Sequence, residues 1–169
     1  MSNEITPHRK PMLPVTVNPD VGDSSGLWWA IERSERPHAD IGRPKEFHPI
    51  VQEEAREKMA DLEPLCVAAG PDLVTLWATP LMAGLSKDTS PDAAVARMRL
   101  VVLALQDLAA GAFTVSAQAH VAKTAHFTPM PADLYEALAK QSIELRQRQA
   151  TLRYIVECPS DRPVRGIAS

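Results

Sequence analysis

The side chains able to do chemistry are few and scattered. His120 and His126 stand six residues apart with Lys123 between them. Helical metal ligands fall three or four residues apart, so these two histidines face different sides of a helix and read as structural or surface groups. Glu53, Glu54 and Glu57 form an acidic run, but nothing converges on them to perturb a pKa, and a solvated helix face accounts for them. Cys66 and Cys158 match no metal or redox spacing and read as a buried small residue and a tail thiol. No glycine-rich phosphate loop, dinucleotide fingerprint, zinc spacing or nucleophile elbow occurs. The expectation is a binding protein, with no catalytic residue, no metal site and no cofactor.

Two clusters suit binding. The run GLWWAI, residues 26–31, is an island of strong hydrophobicity, and Trp28, Trp29 and Ile31 are candidate partner-binding residues because tryptophan is enriched among interface anchors. The alternative is that the tryptophans fold back on the protein's own core. Near the other end, Lys140, Arg146, Arg148 and Arg153 are candidates for contact with nucleic acid or an acidic partner. The net charge of −3 is unevenly spread: residues 47–96 hold 8 acidic against 3 basic side chains, and residues 140–169 hold 3 against 6. Such asymmetry can steer a charged partner without identifying it.

The elements that must position these groups are helical. Aromatics make up 5% of the 169 residues while Ala, Leu and Val abound, which favours helices over strands and one domain over two. Residues 1–46 hold six prolines and three glycines without sustained periodicity, and read as a disordered or extended arm. Residues 47–157 read as a helical domain and 158–169 as a flexible tail. Val51, Ala55, Met59, Leu62 and Cys66 recur at helical steps, with a stop expected at Gly70-Pro71. A second helix carries Leu73, Leu76, Trp77, Leu81 and Leu85, with a kink or break expected near Pro80.

Ser90-Pro91-Asp92 is a helix start, and because residues 100–105 are apolar all round, the helix running to about Ala109 is expected to be central, with Gly111 marking its end. Thr114 caps a short helix ending near Ala125. Pro131 then opens a long last helix in which Leu134, Leu138, Gln141, Leu145, Arg148, Leu152 and Ile155 follow heptad-like spacing with two polar interruptions. Such a helix offers a route to a homo-oligomer. The result is an all-α bundle of about five helices. Its expected core includes Leu73, Trp77, Val102, Leu105, Phe113, Val121, Phe127 and Leu138. No signal peptide or bilayer-length apolar run occurs, so a cytoplasmic location and no membrane contact are expected.

A Trp on one helix (Trp77), a helix ending in LALQDLAAGAF (residues 103–113), a short Ala-rich helix and FTPMPADL (residues 127–134) opening the next follow one another in order. This order resembles small phage-type replicative-helicase loaders and inhibitors, over roughly residues 73–140. The resemblance implies a compact helical domain and a flexible part that engages a hexameric replicative helicase, without enzymatic activity. The chain differs from that group in carrying its tryptophan-bearing arm at the front and a long basic helix at the end. Two other readings stay open: a DNA-binding regulator using that basic helix, in which the Ala-rich helix offers few groove-reading side chains, or a helical structural phage protein that oligomerises.

Overall fold

The computed structural model describes residues 13–20, 22–36, 42–85, 90–125 and 127–160. Among them the chain is all-α: α1 (Ser25–Glu35), α2 (Pro49–Cys66), α3 (Gly70–Leu85), α4 (Pro91–Leu105), a 3-10 turn (Ala110–Ala112), α5 (Val115–Thr124) and α6 (Pro131–Glu157). No helix of the described residues is long and apolar enough to cross a membrane.

Local signals set most of the starts. The Ser90 hydroxyl accepts from the Ala93 N–H ahead of Pro91, and Thr114 Oγ1 accepts from Ala117 at 3.1 Å. Pro131 is the first residue of α6, and the Asp133 carboxylate accepts from the Met130 N–H at 2.8 Å. Two more of the unsatisfied N–H groups at the start of α5 are taken by the extended front segment, since Val115 and Ser116 donate to the carbonyls of Pro14 and Val15.

Six expectations need correction. Within residues 1–46 a sixth helix, α1, forms from a short stripe of Leu27, Ala30, Ile31 and Ser34, all buried. Ser24 caps it, and Ser24 is itself held by the carboxylate of Glu54 on α2. Helix α2 ends at Cys66 rather than Gly70, because residues 67–70 cross-pair with residues 106–110: Ala69 N–H donates to Leu108, Gly70 to Gln106 and Ala110 to Val67, around an antiparallel bridge between Ala68 and Ala109. That pairing also ends α4 at Leu105. Helix α3 is not broken at Pro80, which lies on the same exposed side as Leu76. Residues 158–160 are held rather than loose: Gln52 on α2 donates to the carbonyls of Ile155 and Cys158 and accepts from Ser160, and the Phe47 N–H donates to Pro159. Finally, Phe127 is outside the core at 84% exposed, although Trp77, Leu105, Phe113, Val121 and Leu138 are buried.

The core has two parts. One gathers Val74, Trp77, Leu81, Val101, Leu105, Phe113 and Val121 with Leu134 and Leu138 of α6. Trp77 is fixed there by an edge contact to Phe113 at 5.6 Å and by its indole N–H donating to the Thr114 carbonyl at 2.9 Å. The other part gathers Leu27 and Ile31 of α1, Phe47, Ala55 and Leu62 of α2, and Leu145, Leu152 and Ile155 of α6. At 27 residues α6 is roughly 40 Å long and serves both. Its stripe is spent inside the chain.

Gly111 lies where the two parts meet, and its backbone is not left-handed. Its role is close approach: a Cβ there would stand 2.9 Å from Leu145 Cδ1 and 3.0 Å from Leu65 Cβ. Gly111→Ala should therefore cost about 1–3 kcal/mol through overpacking. Leu105→Ala, emptying a fully buried site, should cost about 2–5 kcal/mol. Urea titration checks both, and a shift near zero at either position would mean that its surroundings are looser than described.

Candidate partner-binding surface

Helix α1 docks by one face and displays the other. Leu27, Ala30 and Ile31 are buried, whereas the adjacent Trp28 and Trp29 are each 53% exposed. Ile31 is thus part of the core and not a surface contact, a correction to its expected role. Arg33 lies over the Trp29 ring with its guanidinium carbon 5.9 Å from the centroid, which steadies the ring while leaving it open to solvent. The pair is neither sequestered in the core nor carried on an unstructured chain: α1 presents it from a fixed helix.

What fixes α1 and the segment before it is electrostatic as well as apolar. Arg148 of α6, expected as an exposed cation, is buried and pairs with Asp20, with Glu35 at 3.8 Å and Asp23 at 3.9 Å around it. Burial pushes its guanidinium below the ordinary value. Burial also raises the Asp23 carboxyl, against the opposing pull of Lys58 on α2 at 3.5 Å. Among the described residues Asp23 Oδ2 has no hydrogen-bond partner, so its burial depends on charge compensation.

The remaining expected cations do not make a basic stripe. Lys140 pairs with Glu144 at 3.8 Å, and Arg146 is drawn onto the Asp107 carbonyl. With about 100° of turn per residue, Arg146 and Arg153 share a face of α6 while Lys140 lies away from it. His120 is exposed in the middle of α5, and His126 lies outside the described residues. Cys66 is buried, and burial pushes its thiol up, away from the thiolate a nucleophile needs. No group of three His, Cys, Asp or Glu among the described residues could hold a metal ion.

Two further surfaces were not anticipated. The expected central helix α4 is exposed along one side, where Val95 is 53%, Leu100 58% and Leu103 65% exposed, beside a groove of about 460 Å³ shared with Thr75 of α3. An all-round apolar sequence gave no signal for this, because periodicity that is absent cannot tell which side lacks a neighbour. A second groove, of about 780 Å³, runs between α5 and α6 past the exposed Phe127 and Met130, with Lys140, Asp133 and Glu136 at its rim. The proline-bounded loop FTPMP explains Phe127, since it ends one helix and starts the next before the ring can turn inward.

Removing Arg148 would leave Asp20, Asp23 and Glu35 close together with only Lys58 to compensate Asp23. Arg148→Ala should cost about 3 kcal/mol or more and loosen the front segment. Equilibrium unfolding tests this, and an unchanged midpoint would place Arg148 in solvent.

No family model matches the sequence, and neither a curated protein nor a solved structure matches the chain.

Proposed function

We propose that this protein is a non-enzymatic adaptor of DNA replication, cytoplasmic in location, which binds a hexameric replicative helicase as loader or inhibitor and engages it through the tryptophan face of α1. The observation that carries the reading is the display of Trp28 and Trp29, half-exposed side by side on a helix whose opposite face is anchored in the core. Large rigid side chains held out on a docked helix bind with little further loss of conformational entropy, which is the usual character of interface hot spots. The partner class rests on the resemblance over residues 73–140. The rival DNA-binding reading is weakened by the burial of Arg148 and by the absence of a common face among the other three cations.

Direct titration of the full chain against the replicative helicase of its source organism tests the proposal. Trp28→Ala with Trp29→Ala should weaken binding about 30-fold or more, the equivalent of ~2 kcal/mol. Because roughly half of each indole is covered, the double truncation should also lower unfolding stability by about 2–3 kcal/mol, so affinity is compared on protein that is still folded. Wild-type affinity with a clearly lowered midpoint would assign the tryptophans to the fold instead. A folded protein that binds no helicase at all would overturn the partner class. Strand-separation assays then give the sign of the effect, since a loader raises the rate and an inhibitor lowers it.

A further inference from the structure

The groove between α5 and α6 borders the part of the core that α1 does not reach. Phe127 and Met130 are exposed at one end of it, and Asp133, Glu136 and Lys140 lie along its α6 side. With about 100° of turn per residue, those three share one side of α6 with Glu144 and Gln147. The later part of that side is already covered by the front of the chain. Residues 17–20 lie beside Glu144 and Gln147, Asp20 pairs with Arg148, and the Val17 carbonyl accepts from Gln141 at 3.3 Å. Followed upstream, the front segment therefore moves toward the start of α6. Pro14 and Val15 then accept from Val115 and Ser116 at the start of α5, and Leu13 packs on the core part that holds Leu134 and Leu138.

Residues 1–12, MSNEITPHRKPM, precede Leu13 and lie outside the described residues. The stretch of α6 from Pro131 to Lys140 is roughly 14 Å long, which four or five extended residues cover. We propose that residues 5–12 continue along the same side of α6 and fill the α5–α6 groove, with Arg9 and Lys10 beside Asp133 and Glu136 and with Ile5 on Phe127. The charges are complementary. Lys140, the cation of the α6 rim, is drawn to Glu144 at 3.8 Å, so Asp133 and Glu136 form no ion pair among the described residues. The apolar groups match as well, because Ile5 and Met12 are the large apolar side chains near those cations, and Phe127 and Met130 are the ones the groove leaves in water. Pro7 and Pro11 have no N–H to leave unpaired against an apolar wall. The chain's own front is favoured over a foreign peptide because it is tethered at the edge of the groove, where a short link holds it at an effective concentration on the order of millimolar.

Isotope-edited NMR of the full chain tests this. The expected result is a set of nuclear Overhauser contacts from the Ile5 methyls to the Phe127 ring, unchanged between about 50 and 500 μM because the contact lies within one chain. Phe127→Ser, on an exposed site that leaves the fold intact by circular dichroism, should speed exchange of the Met12 amide about tenfold or more. Glu136→Lys should reduce the Ile5 to Phe127 contact to about a third by setting like charges together, and adding Arg9→Glu and Lys10→Glu should return it to within about twofold of wild type. Absence of the contact, a Met12 amide indifferent to Phe127→Ser, or a triple variant no better than Glu136→Lys would each overturn the proposal. Contacts found only between labelled and unlabelled chains in a mixed sample would also overturn it, and would give the groove to the front of a second copy.

Discussion

Helix α6 closes two separate hydrophobic clusters with one side of one helix, and every other described helix packs on it except α3, which reaches it through α4 and α5. Leu134 and Leu138 seal the cluster built by α3, α4 and α5, while Leu145, Leu152 and Ile155 seal the one built by α1 and α2. Neither cluster is large, and helices of ten to eighteen residues are marginal without such packing. A continuous α6 ties the two together. The junction between them is correspondingly tight, with Gly111 against Leu65 and Leu145 and the Ala109 N–H donating to Ser142 at 2.9 Å.

The two polar interruptions of the α6 stripe have a common purpose. Gln141 donates to the Val17 carbonyl, and Arg148 gathers Asp20, Asp23 and Glu35. Both hold the front segment that leads into and out of α1. A leucine at either position would bury more apolar area but leave the front segment without that tie, and the acidic residues around Arg148 would repel one another. Stability is thus given up at two stripe positions in exchange for a fixed α1, and a fixed α1 is what aims Trp28 and Trp29 outward.

Legibility in the sequence followed the length of each pattern. The long period of α6 and the capping signals at Ser90, Thr114 and Pro131 are each made by residues a few positions apart along the chain, and the starts they mark agree with the structure. Helix α1 was hidden because its stripe spans only Leu27 to Ser34 among prolines and glycines, too short for periodicity to stand out. Arg148 read as a surface cation because its partners come from residues more than a hundred positions earlier. The exposure of Leu103 and Phe127 had no local signature, since an apolar side chain looks the same in sequence whether its neighbour is its own core, a second molecule or water. For the candidate surface, then, the residue types Trp28 and Trp29 were visible, and the helix that displays them was not.

The account stands or falls on α1 being docked in the free protein, so that the tryptophan surface is built before any partner arrives. Amide hydrogen exchange of the isolated full chain measures this directly, because amides of a docked helix open only with the elements they pack on. Protection of the Ala30 and Ile31 amides approaching that of Leu145 and Leu152 on α6 is the predicted result. Exchange of α1 at the rate of unstructured chain, with α6 still protected, would contradict it.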